Sequence, residues 1–151
     1  MRSFSKLIQA AKEASVNAYR PYSKFNVGAA ALTFDGKIYT GFNVENCGLS
    51  LTIHAEQSAI INALADGLLE RGKQQGLTQF QVFLAVAVYL PKTKEAWPCT
   101  GCRQFMGEFG YDMHVIGEDP DTKNILCLTL GQLVPYHFPI EKVLKSIEDK
   151  D

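Results

Sequence analysis

The chain has 151 residues, 46% hydrophobic and 21% charged, enough apolar material for one domain spanning 1–151 with its own core. Lys+Arg total 15 against 16 for Asp+Glu, a formal net charge of −1, so the basic excess expected of a polynucleotide binder is missing. No apolar run approaches the length of a membrane span, and Met1-Arg2-Ser3-Phe4 opens no apolar signal core, which makes the cytoplasm the expected compartment.

Residues 3–19 read as a helix. Phe4, Leu7, Ile8 and Ala11 recur at helical spacing, Ser3 can cap the start, and Arg20-Pro21-Tyr22 breaks the pattern because a residue before proline is pushed out of the helical region. A hairpin follows, with strands over 26–34 and 37–43 joined at the turn signal Asp35-Gly36. Residues 54–65 form a second predicted helix, with Ala55, Ala59, Ile60, Ala63 and Leu64 able to share a face and Gly67 placed to end it. The nearly all-apolar run 81–90 suits a strand buried on both faces. Pro98-Cys99 opens a short helix ending near Phe109-Gly110, and 113–116 and 125–128 are short strands. Helical turns are expected at 130–134 and 140–147. The insertion-like segment 68–79 and the loop 91–97 have no derived function; Trp97 either covers the entrance of a site or is buried. The order predicts an α/β fold, a three-layer α/β/α sandwich around a mixed sheet of about five strands.

Of the four cysteines, only Cys99 and Cys102 are closely spaced, so no disulfide framework is expected; Cys47 and Cys127 read as small buried hydrophobes. The pair falls in Pro98-Cys99-Thr100-Gly101-Cys102, and His54-Ala55-Glu56 lies upstream. Together they make the H-x-E…P-C-x-x-C pattern of zinc deaminases. Both segments fall at predicted helix starts, where the positive end of the helix dipole favours a thiolate. His54, Cys99 and Cys102 supply three zinc ligands, leaving one tetrahedral position for water as in a catalytic site. Two thiolates and a neutral imidazole bring the dipositive ion to formal neutrality, and zinc can still acidify a bound water. Glu56, two residues past His54, can reach that water and serve as the proton carrier. Arg103, beside Cys102, is a candidate to lean its cation on a thiolate. A lone Cys-x-x-Cys would fit a redox pair or half of a structural zinc knuckle, and a lone His-x-Glu means little; the pattern rests on both in this order. His114 and His137 read as ordinary histidines.

At this point the chain resembles the cytidine deaminase family along nearly its whole length. The matching segments are Pro21-Tyr22-Ser23-Lys24-Phe25-Asn26-Val27-Gly28-Ala29-Ala30, Gly41-Phe42-Asn43-Val44-Glu45-Asn46, His54-Ala55-Glu56-Gln57-Ser58-Ala59-Ile60 and Pro98-Cys99-Thr100-Gly101-Cys102-Arg103-Gln104-Phe105-Met106, with a weaker match at 133–139. The resemblance implies zinc-dependent hydrolysis of cytidine and deoxycytidine to uridine and deoxyuridine in pyrimidine salvage, with one zinc per subunit, its hydroxide attacking C4 while Glu56 moves protons. It implies that Asn43 and Glu45 bind the ribose 3′-hydroxyl, that Phe25 packs on the pyrimidine, that Ala55 belongs to the substrate site, and that Phe138 reaches a neighbouring subunit's site. The side chains agree: Asn43 and Glu45, two apart on a predicted strand, share a face, and a carboxylate accepting a free 3′-hydroxyl would repel a phosphate there. A nucleic acid has a phosphodiester at that position, and a nucleotide would need cations for its phosphate, but beyond Lys24 and Arg20 no Arg/Lys cluster stands out, so a free nucleoside is favoured.

The sequence also departs from the pattern. Shorter, tetrameric members of the family carry cysteine and arginine where this chain has His54 and Gln57, and their Phe-Gly-Pro is Phe138-Pro139 here. With His54 the site is already neutral, so Gln57 is consistent. The histidine variant is more familiar in two-module dimers; this chain has one module, and a homotetramer is the expected assembly. Two other functions compete: a deaminase of a different amino-pyrimidine nucleoside, such as a nucleoside antibiotic, and an RNA-binding module whose zinc is structural.

Overall fold

The computed structural model describes residues 2–91, 97–119 and 121–148. The elements run α1 (Arg2–Ser15), β1 (Gly28–Thr33), β2 (Ile38–Phe42), α2 (Ala55–Ala65), α3 (Leu68–Gln74), β3 (Phe83–Tyr89), α4 (Thr100–Gly107), β4 (His114–Glu118), β5 (Ile125–Thr129), α5 (Leu130–Leu133) and α6 (Ile140–Glu148). The five strands form one mixed sheet in the order β2-β1-β3-β4-β5. β1 is antiparallel to both neighbours, β3 and β4 are parallel, and β5 returns antiparallel.

Strand alternation sorts the sheet's side chains into two cores. Ala30, Ala85, Ala87 and Ile116 face α1, where Leu7, Ile8 and Ala11 are buried against them. Ala29, Ala31, Val86, Val88 and Val115 face the other way, onto Ala55, Ala59 and Ile60 of α2 and Met106 of α4. Helices therefore cover both faces, as the α/β/α expectation required. β1 and β3 are buried on both sides, which explains why their sequences are so uniformly apolar.

Small residues set the helix–sheet spacing. A Cβ on Gly28 would stand 1.9 Å from the Ala11 carbonyl oxygen of α1. One on Gly41 would stand 2.3 Å from the Ala59 amide nitrogen and 2.5 Å from the Ala55 carbonyl oxygen of α2. Backbone on both faces approaches strand backbone closer than any side chain allows.

Three expectations change. The first helix stops at Ser15, four residues short of the expected end, because the chain beyond it is recruited by the sheet: the Tyr19 amide bonds the Asn43 carbonyl at 3.0 Å and the Glu45 amide bonds the Tyr19 carbonyl at 2.8 Å. α1 begins at Arg2, so Ser3 lies within it and not at the position ahead of its start. Cys47 and Cys127 are exposed, Cys47 beyond the end of β2 and Cys127 on the edge strand β5, so neither is a core residue.

The segment 68–79, read as an insertion, contains α3. Gly67, at φ 74°, turns the chain out of α2 and into it. Leu68 is fully buried, and Arg71 donates to Asp35 at 3.0 Å and to the Tyr39 hydroxyl at 2.8 Å, tying α3 to the β1–β2 hairpin. The Tyr39 hydroxyl and the Lys37 ammonium hold the Asp66 carboxyl down at about 2. Of the loop 91–97, residues 92–96 lie outside the described residues. Among the described residues, no helix is long and apolar enough to cross a membrane.

The tight seat of α2 makes Gly41→Ala a sharp test of the fold. Overpacking against backbone that cannot swing away is expected to cost about 1–3 kcal/mol, read as a lowered urea midpoint at unchanged slope.

Candidate active site

β2 and β3 point the same way, since both are antiparallel to the strand between them. The chain leaves β2, makes the Val44–Ile53 bridge just past the strand's end, and enters α2. It leaves β3 and enters α4. Both helix N-termini thus lie at the C-terminal edge of these strands, the usual place for a site in an open α/β sheet.

His54 is the N-cap of α2 and Cys99 the N-cap of α4, with Cys102 in the first turn of α4. The Cys99 sulfur accepts from the Cys102 amide at 3.5 Å, so the cap itself fixes one donor against the other. The His54 amide donates to the Gln57 side-chain oxygen at 3.0 Å, which anchors the start of α2. The Sγ of Cys99 stands 3.5 Å from His54 Nδ1, and the ligand atoms of His54, Cys99 and Cys102 all lie within 4.8 Å of one another.

That spacing fits zinc. A tetrahedral ion with sulfur at about 2.3 Å and nitrogen at about 2.0–2.1 Å separates the two by roughly 3.6 Å. The cluster offers three donors among the described residues, one fewer than the four of a structural tetrahedral site.

Glu56 follows in the first turn of α2 and is 3% exposed. Burial pushes its carboxyl above the usual range, while its own amide and the Cys102 thiol pull the other way. Burial also pushes the Cys102 thiol far up, with the Glu56 and Cys99 charges adding to it. These groups are crowded where anions are disfavoured, and a dication is the charge that would relieve them.

A cavity of about 460 Å³ opens over this cluster, lined by His54, Ala55, Glu56 and Cys99 at the metal end and by Asn43 and Glu45 among others. Phe25 lines it too, with Val27, Leu90 and Trp97. The Glu45 carboxylate accepts from the Tyr22 and Ser23 amides at 2.9 and 3.1 Å, and the Ser23 side chain with those amides holds its carboxyl below the usual range. Asn43 is 7% exposed; its Oδ1 accepts from the Val27 amide at 2.8 Å and its Nδ2 donates to the Phe25 carbonyl at 3.0 Å. Asn43 therefore fastens the segment that carries Phe25, a task the sequence did not reveal, and each end of its amide keeps capacity for one more hydrogen bond.

Two predicted residues stand apart. Arg103 directs its donors at backbone: Nε to the Pro98 carbonyl at 2.8 Å and Nη1 to the Leu133 carbonyl at 3.2 Å. It braces the loop before Cys99 against α5. Phe138 is 58% exposed and does not line the cavity of its own chain. His114 and His137 are outside the cluster; His137 stacks on Tyr111 with ring centroids 3.6 Å apart. Sequence reasoning missed Ser23, Thr52, Val27 and Leu90 in the cavity lining, and only their closeness in sequence to Phe25, His54 and the end of a strand could have pointed to them.

An α/β sheet that brings two helix N-termini, a His/Cys/Cys cluster and a buried glutamate to the floor of one cavity defines a protein of the zinc-dependent deaminase class. Comparison with known proteins agrees. A family model described as "Cytidine and deoxycytidylate deaminase zinc-binding region" matches residues 1–118. The chain is 36% identical over 147 residues to a probable cytidine deaminase of Dictyostelium discoideum, covering 97% of this chain and 90% of that one. It is 42% identical over 104 residues to a cytidine deaminase of Sporosarcina psychrophila, covering 69% and 68%. The crystal structure of a cytidine deaminase from Burkholderia pseudomallei superposes with a TM-score of 0.76 at 37% identity, covering 89% of this chain and 98% of that one. The chain belongs to the cytidine and deoxycytidylate deaminase zinc-binding family and is a deaminase.

The three donors predict the behaviour of ligand variants. His54→Ala and Cys102→Ala are each expected to weaken zinc binding by more than the roughly 10–100-fold that loss of an outer hydrogen-bonding partner costs. Metal content after gel filtration and competition with a chromogenic chelator measure this.

Proposed function

We propose that this chain hydrolyses cytidine and deoxycytidine to uridine and deoxyuridine with release of ammonia, as a salvage enzyme acting on free nucleosides. The observation that carries the proposal is one cavity joining the His54/Cys99/Cys102 cluster and buried Glu56 to Glu45. The names of the relatives support the substrate class.

His54, Cys99 and Cys102 would hold one zinc per subunit. Bound there, zinc supplies the acidity that brings a water's pKa toward about 7. The overall change breaks the bond between C4 and its amine and forms a C4–O bond. Of the two protons of the water consumed, one ends on ring N3 and the other leaves with the amine as ammonia. Glu56 carries both in turn: its burial raises its proton affinity, so it can take a proton and give it up again. Glu45, kept ionised by the Ser23 and Tyr22 donors, accepts a hydrogen bond from the ribose 3′-hydroxyl, and Asn43 pairs with the same sugar edge. Phe25 offers its ring to the base, and Ala55, fully buried at the start of α2, lets the base approach the helix N-terminus. A carboxylate at the 3′-hydroxyl selects against a phosphodiester there, and among the described residues the cavity lining offers no Lys or Arg to a 5′-phosphate.

The domain 1–151 acts as a single catalytic module in a homotetramer, with Phe138 exposed and available to a neighbouring subunit's cavity. It works in the cytoplasm.

Zinc-loaded protein incubated with cytidine, deoxycytidine, cytosine and dCMP, followed by the loss of cytidine absorbance, tests the reading. The two nucleosides are expected to be consumed and the other two spared; zinc-loaded protein that leaves both nucleosides intact would falsify it. Glu56→Gln is expected to keep its zinc and lose about 10²–10⁴-fold in kcat. Glu45→Gln should lose roughly tenfold or more in kcat/KM, since a hydrogen bond to a charged acceptor is roughly twice as strong as one to a neutral amide.

A further inference from the structure

The apolar lining of the cavity comes from two stretches of chain: Phe25 and Val27 ahead of β1, and Leu90 and Trp97 after β3. The proposed function gives Phe25 a task and leaves Trp97 without one. Trp97 precedes Cys99 by two residues, so their Cα atoms stand no more than about 7 Å apart. Pro98 between them is fully buried, and its carbonyl is held by Arg103 at 2.8 Å. Trp97 itself is half-buried and packed against the main core. An aromatic side chain is thus held on the cavity wall beside a metal donor.

In a cytosine ring N1, which bears the sugar, is diametrically opposite C4. A ring whose C4 meets the metal end therefore points its sugar away from Cys99. C4 is flanked by N3, which Glu56 must reach, and by C5, so what remains for a side chain beside Cys99 is the edge carrying the amine and C5. We propose that Trp97 is a specificity-determining residue: its indole walls the C4–C5 edge of the base and rejects pyrimidines substituted there. This rests on the deaminase reading above and adds the base-edge selectivity of the same site. A fixed wall discriminates sharply, because one extra methylene in a well-packed apolar pocket is already worth about 10–200-fold.

The test compares kcat/KM of the zinc-loaded protein, Trp97→Ala and Trp97→Leu on cytidine, deoxycytidine, 5-ethylcytidine and N4-methylcytidine, with zinc content measured for each. The parent protein should discriminate against both alkylated bases. In the variants the ratio of an alkylated base to cytidine should rise about tenfold or more. The ratio of cytidine to deoxycytidine should stay within about twofold, as expected for separate, uncoupled contacts. A uniform fall on all four substrates, or a sugar ratio that moves as far as the base ratio, overturns the proposal. Zinc loss in both variants also overturns it, since Trp97 would then serve the metal loop. If the parent protein consumes neither nucleoside, the deaminase reading fails and the wall goes with it; if it consumes both and the base ratios do not change, the wall alone fails.

Discussion

Everything at the site depends on how closely α2 can lie on the sheet. The helix brings His54 at its cap and Glu56 two residues on in its first turn, so its height over β2 fixes where an imidazole and a carboxylate stand relative to Cys99 and Cys102. That height is set by Gly41, Ala55 and Ala59, where strand and helix backbones meet with no side chain between them. α4 is placed from the same sheet face through buried Met106, and the two helices meet at their N-termini. Close packing holds positions to fractions of an ångström, and metal ligation demands that tolerance.

The convergence of N-termini has an electrostatic consequence as well as a geometric one. Anions are disfavoured there: burial raises both the Glu56 carboxyl and the Cys102 thiol, and repulsion from Glu56 and Cys99 adds to the shift at Cys102. Two helix dipoles aim their positive ends at the same point and offset part of that repulsion. The rest falls to the cation. His54 in place of a third thiolate removes one negative charge from the crowd, and the neighbouring Gln57 can then spend its side chain on the His54 amide instead of supplying a counter-charge.

The metal cluster was legible because its chemistry is local: each ligand belongs to a short motif, and each motif opens a helix. The sheet was legible because β1 and β3 are apolar on both faces and the Asp35-Gly36 turn punctuates the hairpin. What escaped were features settled by distant partners. The end of α1 is decided by Asn43 and Glu45, which claim Tyr19 for a bridge. α3 is seated by buried Leu68 and by Arg71 meeting Asp35 and Tyr39 across the hairpin, partners distant in sequence. Cys47 and Cys127 carry a residue type that is usually buried, but one lies past a strand end and the other on a sheet edge, where no layer covers them.

Arg103 shows how a residue can bear on a metal site through the backbone that carries its ligands. Its place beside Cys102 suggested a cation for a thiolate, and the hydrogen bonds of its fork go to two carbonyls. The Pro98 carbonyl belongs to the peptide that leads into Cys99, and the Leu133 carbonyl ends α5, so one guanidinium couples the orientation of the cap sulfur to the C-terminal part of the fold. Lysine could neutralise charge equally well but could not span two acceptors in fixed directions. The same bond holds Pro98, the residue that follows Trp97. A single planar donor group therefore bears on the metal end and on the wall of the cavity together, and the stretch of chain that carries Phe138 begins one turn beyond its second anchor.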